Sequence, residues 1–331
     1  MKIAVLAPLE YPLTEPYAGG LEKHTVQLAT GLGRLGHDVT LIARPGSPPI
    51  GGLEVVTHLT GYRQAMRFVR EQGFDLLHNN SINGTPTFLA YRVNCPVVTT
   101  LHTPPYRRQL PGILTARLLR GSAFVAISEH LAQRWRIYTG KSCTVIHNGI
   151  DTEEWPYAPR ARPQTAIWYG RITPEKGTEF ALEACRRAGY HLQIAGPIND
   201  DHYFRQKIAP GLGDHASYLG HLDQRAIAQL SARSSVGLFT SVWDEPFGLV
   251  LLEMLACGVP VAGFASGAVP ELMSPDVSRL VPVGDVAGLA NVIPAASMLD
   301  PRNCRSFVES RFPLHRMISA YEQLYLRLVA E

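Results

Sequence analysis

Two carboxylates flank a glycine-containing turn in the segment 241–253. Seven residues separate Glu245 from Glu253, and Gly248 lies between them. The sequence predicts that a helix begins near Gly248, which leaves the backbone N–H groups of Gly248 and Leu249 available to an anion. Glu245 stays on the preceding loop and Glu253 lies further along the helix. This pattern is typical of a site for a ligand with a central phosphate and hydroxyl groups at both ends, which is the shape of a nucleotide sugar.

Two cationic side chains follow a predicted strand at 166–169. Arg171 and Lys176 are separated by a turn that contains Pro174, so both charged groups can converge at the N-terminus of the next helix. Arginine offers a planar fork to phosphate oxygens, and lysine offers a compact charge. Two solvated surface charges are the alternative. The position after a strand favours a phosphate site, because ligands of open α/β sheets bind beyond the carboxyl ends of the strands.

Three further candidates are individually weaker. Gly19 and Gly20 precede the first helix, where they allow close approach of backbone to phosphate or form a flexible turn and helix cap. His102 follows a strand, where it can bind a sugar hydroxyl or handle a proton, or serve equally well as a structural histidine. Ser128 is most simply a helix N-cap, with contact to an acceptor as the alternative.

Motifs of several other enzyme classes are absent from the sequence. It has no Gly-x-Ser-x-Gly elbow, Walker loop, His-Glu-x-x-His pair or Gly-x-Gly-x-x-Gly fingerprint. The polar run 78–81, His-Asn-Asn-Ser, lacks the carboxylate or cysteine that a metal site would need at suitable spacing. Hydrolases, P-loop kinases, zinc proteases and ordinary nicotinamide dehydrogenases are therefore disfavoured.

Short apolar runs alternate with helical stretches along most of the chain. Such alternation predicts βαβ units around a parallel sheet covered on both faces. The prolines of 148–163 interrupt the pattern, which indicates an interdomain linker. The predicted strands are 2–7, 38–43, 55–58, 75–78, 97–101, 123–127 and 143–146 before the linker, and 166–169, 191–195, 217–219, 236–239, 259–263 and 279–281 after it. The predicted helices are about 21–35, 63–71, 85–93, 129–137, 178–188, 224–232, 248–256 and 313–331.

Composition limits the class of protein. A chain of 331 residues with 46% hydrophobic residues is comfortable for two domains. The net charge of +3 does not by itself imply a nucleic-acid partner. The five cysteines are scattered, which predicts reduced thiols in a cytoplasmic protein. The apolar run 3–7 is too short for a signal sequence or a membrane span. Basic and apolar residues mix in 106–120, which fits either peripheral contact with the inner membrane face or a helix over the sheet edge.

Taken together, the motifs resemble those of the family-4 glycosyltransferases, retaining enzymes of the GT-B fold. The resemblance covers nearly the whole chain in family order, and its specific part is the two-carboxylate element together with the Arg/Lys loop. The matching segments are Gly19-Gly20-Leu21-Glu22-Lys23-His24, His102, Ala126-Ile127-Ser128, 145–151, Tyr169-Gly170-Arg171 with Glu175-Lys176-Gly177, Ala195-Gly196-Pro197, Glu245-Pro246-Phe247-Gly248-Leu249 with Glu253, and 256–261.

The resemblance implies an α/β protein of the GT-B fold, in which two doubly wound Rossmann-like domains face each other across a cleft. An acceptor-side domain would span 1–152, with a C-terminal helix at about 313–331 packing back on it. A linker would span 153–163, and a domain for the nucleotide-sugar donor would span 164–312. The implied enzyme is a retaining hexosyl- or pentosyl-type glycosyltransferase of carbohydrate biosynthesis. Its acceptor would be a hydroxyl of a small molecule, a glycan or a lipid-linked glycan.

The resemblance also assigns roles to residues. Arg171 and Lys176 would bind and stabilise the departing diphosphate, Glu245 would contact hydroxyls of the transferred sugar, and His102 would lie near that sugar. Glu253 would hold the ribose hydroxyls. The implied donor-binding residues are Gly19, Gly20, Gly196, Leu222, Phe247, Gly248, Leu249 and Glu253, and those on the acceptor side are Thr103, Ser128 and Asn148.

The implied chemistry uses no cofactor and no metal, because fixed cations and N–H dipoles stabilise the diphosphate. The sequence has no Asp-x-Asp motif. Retention is explained by same-face attack, with the acceptor proton passing toward the leaving phosphate, so no enzymatic base is assigned. A nucleotide-sugar epimerase or hydrolase and a non-catalytic nucleotide-sugar-binding protein are the alternatives. The donor nucleotide, the sugar, the acceptor and the oligomeric state stay open.

Three positions depart from the usual pattern of the family. Thr103 stands where an acidic residue is frequent, and Asn79-Asn80 replaces a commoner pair that contains histidine. Gly267 is a single glycine where two are often found. None of these departures removes a group predicted to bind the donor phosphate.

Overall fold

A computed structural model describes residues 1–140, 143–157 and 163–330 of the chain. The chain divides into two compact units: Met1–Gly149 together with His315–Glu331, and Ile150–Leu314. Five residues of the predicted linker, 158–162, lie outside the described residues.

The first unit contains a sheet of seven described strands, all parallel, in the order β3-β2-β1-β4-β5-β6-β7. From β1 the chain order runs outward to β3 on one side of the sheet, and from β4 it runs outward to β7 on the other side. The loops after β1 and β4 therefore meet at a topological switch point. The strands are β1 (Lys2–Leu6), β2 (Asp38–Ile42), β3 (Glu54–Val56), β4 (Leu76–Asn79), β5 (Val97–Leu101), β6 (Ser122–Ala126) and β7 (Thr144–Val145).

Helices connect these strands. They are α1 (Gly20–Arg34), α2 (Tyr62–Gln72), α3 (Gly84–Phe88), α4 (Leu110–Ala116) and α5 (Glu129–Thr139), with a 3-10 turn at Ala90–Arg92. A helix predicted at 85–93 is therefore a short helix followed by a 3-10 turn. The strands β1, β2 and β5 are almost wholly buried and rich in valine, isoleucine and leucine, as parallel strands covered on both faces require.

The second unit repeats the architecture with six described strands, again all parallel, in the order β10-β9-β8-β11-β12-β13. Its switch point lies between β8 and β11. The strands are β8 (Thr165–Tyr169), β9 (His191–Ala195), β10 (Ala216–Tyr218), β11 (Val236–Phe239), β12 (Val261–Phe264) and β13 (Ser278–Val281). Parallel α/β architecture in both halves of the chain confirms the predicted fold class.

The second unit carries more helices than the sequence predicts. Its helices are α6 (Thr178–Ala188), α7 (Asp201–Tyr203), α8 (Gln224–Ala232), α9 (Leu249–Ala256), α10 (Val269–Leu272), α11 (Val286–Ser297) and α12 (Pro301–Arg311). Short 3-10 turns lie at Thr152–Glu154, Pro174–Lys176 and Ala209–Gly211, and a π turn lies at Phe204–Ile208. No helix was predicted at 286–297 or 301–311, because Pro294 and Pro301 interrupt the sequence pattern there.

The last helix, α13 (Leu314–Ala330), lies from His315 onward in the first unit. Its Ile318 packs so closely on α1 that a Cβ at Gly31 would collide with it. Tyr321 and Tyr325 of the same helix are fully buried. The helix therefore belongs to the core of the first unit, although it is the last segment of the chain.

Candidate active site

Lys176 and Glu245 form an ion pair in the second unit. Lys176 Nζ lies 2.7 Å from Glu245 Oε2, and the two side chains are 22% and 11% exposed. Lys176 is in the loop after β8 and Glu245 is in the loop after β11. Because β8 and β11 are neighbours at the switch point of the sheet, the two loops meet at its carboxyl edge.

The Lys176 ammonium keeps capacity for a further anion. An ammonium group has three N–H donors, and Glu245 accepts one of them. The remaining donors suit phosphate oxygens. A small pocket of about 50 Å³ lies next to Lys176 and is lined also by Gly170, Thr240 and Val250.

The loop that carries Lys176 is fixed to the loop after β11. Val242 N–H donates to the Glu175 carbonyl at 2.9 Å, and the Trp168 indole donates to Thr240 Oγ1 at 3.1 Å. Gly177 has a φ of +64°, and a Cβ there would collide with the Thr240 carbonyl. Glycine is therefore required directly after Lys176, both for its left-handed conformation and for the close approach of the two loops.

Glu245 is held through its backbone by the loop after β12. Ala268 N–H donates to the Glu245 carbonyl at 2.8 Å. Gly267 has a φ of +54°, and a Cβ at this position would collide with the backbone of Glu245. The one glycine that the sequence retains in this loop is thus the residue that the contact needs.

Glu253 lies on α9 and is bound by a tyrosine from β8. Tyr169 Oη lies 3.1 Å from Glu253 Oε2 and 3.1 Å from the Val250 carbonyl. Burial raises the pKa of the Tyr169 hydroxyl well above its usual value, and the nearby Glu253 charge raises it further. Tyr169 therefore stays protonated and donates. The sequence placed Tyr169 in a matching segment without giving it a role.

The N-terminus of α9 is preceded by Gly248, whose φ is +94°. The left-handed residue turns the chain into the helix so that the first N–H groups, which have no partner within the helix, point away from its body. Phe247 is buried and packs edge-on against Phe312, with ring centroids 6.2 Å apart. The turn is therefore anchored in the core of the second unit.

Gly196 packs directly on the loop after β8. A Cβ at Gly196 would collide with the Gly170 carbonyl. The Gly196 N–H donates to the Gly220 carbonyl at 2.8 Å, and the Gly196 carbonyl accepts from the Tyr218 hydroxyl at 2.8 Å. Leu222 follows in the same loop as Gly220 and is half-buried.

Arg171 lies in the same loop as Lys176, and its side chain is exposed. Within the described residues its guanidinium makes neither a hydrogen bond nor an ion pair. The structure therefore brings Lys176 together with Glu245 and leaves the second predicted cation on the surface. The roles of all these residues toward a donor stay predictions.

In the first unit, Asn80 joins three buried histidines. Its Oδ1 lies 2.8 Å from His102 Nε2 and 3.1 Å from His78 Nε2, and its Nδ2 lies 3.3 Å from His24 Nδ1. Nδ2 also lies 3.2 Å from Thr25 Oγ1. The four partners come from α1, β4 and the loop after β5, so this network could not be predicted from spacing in the sequence.

The network fixes which ring nitrogen of His102 carries its proton. Thr25 donates its hydroxyl hydrogen to the Leu21 carbonyl at 2.8 Å, so it accepts from the Asn80 amide. The Asn80 oxygen then faces His102 as an acceptor, and the His102 ring donates from Nε2. His102 is left with Nδ1 as a hydrogen-bond acceptor.

Burial keeps all three rings neutral. It lowers the pKa of His24 to about 4, and that of His78, which is also near His24, to about 3. Burial, and then His24 and His78, lower the pKa of His102 well below its usual value. His78 also pairs through Nδ1 with the Tyr325 hydroxyl of α13.

Among the other predicted residues of the first unit, Ser128 and Thr103 make structural hydrogen bonds. Gly19 is the N-cap of α1 with extended backbone, and Gly20 is the first residue of the helix. Ser128 Oγ accepts from Leu131 N–H at 3.1 Å, as the N-cap interpretation requires. Thr103 accepts from the Trp135 indole through its carbonyl at 2.8 Å. Asn148 is buried, and its Oδ1 has no hydrogen-bond partner within the described residues.

Comparisons with known proteins agree with this fold and these motifs. The family model described as Glycosyltransferase Family 4 matches residues 18–154, and the model described as Glycosyl transferases group 1 matches residues 150–309. The fold and the motifs thus define a glycosyltransferase. The chain belongs to the family-4 glycosyltransferases, as its sequence resemblance indicates.

The chain is 28% identical to the phosphatidyl-myo-inositol mannosyltransferase of Mycolicibacterium smegmatis, over 88% of this chain and 83% of that protein. It is 25% identical to the glycogen synthase of Mycobacterium tuberculosis, over 96% and 92% of the two chains. The structure of Anabaena HepE in complex with UDP-glucose matches with a TM-score of 0.80 at 20% identity, over 98% of this chain and 99% of that one. This likeness confirms the predicted GT-B fold.

None of the described helices combines the length and the apolar character that a membrane span requires. The cysteines of the chain all lie within the described residues and are unpaired.

Proposed function

We propose that this glycosyltransferase transfers a hexose from a nucleotide diphosphate sugar to a hydroxyl acceptor with retention of configuration. The observation that carries the proposal is the Lys176–Glu245 pair at the switch point of the second sheet. This pair places one cation and one carboxylate, both largely shielded from solvent, beside the N-terminus of α9, whose N-cap is Gly248. A hexose donor is supported by the relatives, since one is named a mannosyltransferase and HepE was crystallised with UDP-glucose.

In this proposal the diphosphate lies against Lys176, Arg171 and the N–H groups of Gly248 and Leu249. Cleavage of the anomeric C–O bond builds negative charge on the leaving phosphate. Cations and oriented N–H dipoles stabilise that charge without reorganisation. Neutralisation by protein groups makes a metal ion unnecessary for donor binding, and no other cofactor is needed.

The hydroxyls of the transferred sugar would bind Glu245. The ribose hydroxyls would bind Glu253, which also accepts a hydrogen bond from the Tyr169 hydroxyl. The acceptor oxygen would form its bond to the anomeric carbon on the face that the phosphate leaves. Its proton would pass to the departing phosphate oxygen, so atoms and charges balance without an enzymatic base. In the first unit, His102 would accept a hydrogen bond from a sugar hydroxyl through Nδ1. Gly196 and Leu222 would border the base.

Purified protein, titrated calorimetrically with UDP-glucose, GDP-mannose and ADP-glucose, tests donor binding. At least one donor should bind in the presence of EDTA, and its diphosphate should be released when an acceptor panel is added. Product analysis by anomeric NMR should show the configuration of the donor preserved. Failure of every donor to bind would count against the proposal. Free sugar or an epimer formed in stoichiometric amounts without acceptor would indicate hydrolysis or epimerisation instead.

A lipid-linked acceptor is one form of this function, because a relative is named for phosphatidylinositol. The exposed Leu118, 78% accessible, and the neighbouring Arg117 and Arg120 give the end of α4 a mixed apolar and basic surface. Such a surface suits peripheral contact with anionic lipid. Flotation with phosphatidylglycerol vesicles, compared with phosphatidylcholine vesicles, should show binding to the anionic ones alone. Equal flotation with both would contradict this part of the proposal.

A further inference from the structure

A pocket of about 620 Å³ lies in the first unit and contains none of the residues that the sequence predicts for the site. Three loops contribute to it: Glu10 follows β1, Ile82 follows β4 and Arg108 follows β5. The carboxyl ends of these parallel strands form one edge of the sheet, where α/β proteins bind ligands. Its volume is within the range of small-molecule sites. Position and size both indicate a ligand site.

The pocket is built on a close contact between α3 and α4. A Cβ at Gly84 would collide with the Arg108 carbonyl, and a Cβ at Gly112 would collide with the Gly84 carbonyl. The Tyr106 hydroxyl donates to the Ile82 carbonyl and so ties the loop after β5 to the loop after β4. These contacts fix the walls before any ligand binds.

The charges around the pocket favour an anion. Arg63 and Arg108 line it, both side chains are exposed, and neither guanidinium has an ion pair or hydrogen bond within the described part of the chain. Glu10 is the carboxylate of the lining and accepts from the Tyr62 hydroxyl at 3.1 and 3.0 Å. Two guanidinium groups against one carboxylate suit a phosphate or carboxylate ligand.

One wall of the pocket is apolar. Phe88, Leu89 and Ile82 line it, and Phe88 is 45% exposed although it is a large aromatic side chain. An apolar group of a ligand would cover this surface and gain the free energy of its burial. The pocket thus combines an anion site, a carboxylate that can accept from a hydroxyl, and an apolar wall.

We propose that this pocket binds the acceptor, and that the acceptor is a hydroxylated anion with an apolar substituent. Arg63 and Arg108 would bind its phosphate or carboxylate, Glu10 would accept from a hydroxyl, and Phe88 would cover the apolar substituent. The acceptor role rests on the proposed function, whereas the binding of such a compound does not. The two can therefore be tested separately.

Calorimetry with matched probes tests the binding without any donor. The probes are 4-nitrophenyl β-glucoside 6-phosphate, the corresponding glucuronide with a carboxylate, the neutral 4-nitrophenyl β-glucoside, and glucose 6-phosphate without the apolar ring. At least one anionic aryl compound should bind about tenfold or more tightly than both the neutral glucoside and glucose 6-phosphate. Dihexanoyl phosphatidylglycerol, kept below micelle formation, shows whether a lipid headgroup binds with the same arginine dependence.

Variants separate the contributions. Arg63→Ala and Arg108→Ala should each weaken the anionic aryl compound about tenfold and leave the neutral glucoside unchanged. Phe88→Ala should weaken the aryl compounds and leave glucose 6-phosphate unchanged. Arg107→Ala is the matched control, because Arg107 is an exposed arginine of the same loop that does not line the pocket. It should change none of the affinities.

Three results would overturn the inference: no probe binds, the neutral and anionic aryl compounds bind equally, or Arg107→Ala weakens binding as much as Arg108→Ala. Donor binding measured on the same protein separates this failure from failure of the proposed function. If a donor binds and the aryl anions do not, the pocket is not the acceptor site. If the anions bind and no donor does, the proposed donor chemistry is wrong while the pocket remains a ligand site. A bound anion should also accelerate diphosphate release from the donor, and no acceleration would contradict its acceptor role.

Discussion

The amide oxygen of Asn80 accepts a hydrogen bond from His102 Nε2 at 2.8 Å. Because the same amide donates to His24 and Thr25, its orientation is fixed and the His102 proton is held on Nε2. A histidine held in this way offers a substrate hydroxyl one acceptor, Nδ1, and no donor. Asn80 thus orients the His102 ring, whose role toward a sugar stays a prediction.

Replacement of Asn80 by alanine should release the His102 ring from this tautomer. We expect kcat to fall about tenfold or more, with donor affinity nearly unchanged, because in the proposed mechanism His102 is the partner of Asn80 that meets the sugar. Nitrogen-15 NMR of the histidine rings should show a mixture of tautomers in Asn80→Ala and Nε2–H alone in the parent protein. Asn303→Ala, an exposed asparagine of α12, is the control. An unchanged NMR signature in Asn80→Ala would remove the basis of this assignment.

Lys176→Ala should lower kcat about 100- to 1000-fold, because it removes a fixed positive charge from the leaving diphosphate. The same change leaves the carboxylate of Glu245, 11% exposed, without its cation. The comparison variant is Lys207→Ala, which removes a lysine of the same unit that pairs with Glu179 at 3.6 Å on the surface. Steady-state kinetics should separate the two variants. Similar kcat values for Lys176→Ala and the parent enzyme would contradict a leaving-group role.

Tyr169→Phe should weaken donor binding about tenfold, because Glu253 loses a charge-assisted hydrogen bond that helps to orient it toward the ribose. Calorimetry with the donor measures the effect. Tyr190→Phe removes a tyrosine hydroxyl of the same unit that bonds to Ser297 at 2.8 Å, and it should leave the affinity unchanged. Equal affinities for both variants and the parent would show that Tyr169 does not support the ribose site.

Gly267→Ala should destabilise the protein by about 2 kcal/mol or more, because the new Cβ meets both an unfavourable φ and the backbone of Glu245. Gly189→Ala isolates the conformational part, since Gly189 has a φ of +74° and no atom within 4 Å of the new Cβ. It should cost only about 1 kcal/mol. Urea unfolding measures both. Equal losses for the two variants would mean that the contact with Glu245 costs nothing.

Acid should destabilise the protein through its buried histidines. Burial lowers the pKa of His24 from 6.5 to about 4. The unfolded chain therefore binds more protons than the native one between these values, so the free energy of unfolding falls as the pH drops through this window. The slope is about 1.4 kcal/mol per pH unit for each such histidine. Urea titrations between about pH 7 and pH 5 measure the slope.

His24→Asn should reduce that slope, since asparagine keeps an acceptor for Asn80 but does not titrate. His202→Asn replaces an exposed histidine and should leave the slope as it is. A slope that is the same in His24→Asn and in the parent protein would show that the buried ring is not the source.

The sequence predicted both parallel sheets because apolar strand runs and amphipathic helices leave a periodic pattern. It also singled out Lys176 and Glu245, which lie 69 residues apart and meet because β8 and β11 are neighbours. In a doubly wound sheet the strands on either side of the switch point, here β8 and β11, are neighbours. The resemblance to the family implied two doubly wound domains. The positions of these residues in post-strand loops were thus predictable from the sequence, whereas their roles toward a donor stay predictions.

Contacts that depend on packing were not accessible. Asn80 was noted as a departure from the family pattern, but its bonds to His24, His78 and His102 need three elements brought together. The pocket of the first unit depends on the close backbone contact between Gly84 and Gly112 of α4. The presence of these two glycines and their spacing in the sequence do not predict such a contact. Tyr169 matched a motif, and only its burial beside Glu253 shows what its hydroxyl binds.

The position of α13 has a consequence for biosynthesis. Tyr321 and Tyr325 pack beside the histidines of the first unit, and their hydroxyls bond to Thr100 and His78. A ribosome makes these tyrosines more than two hundred residues after the strands they cover. The first unit is therefore completed only after the second unit has been made, and its polar interior stays open until α13 has emerged.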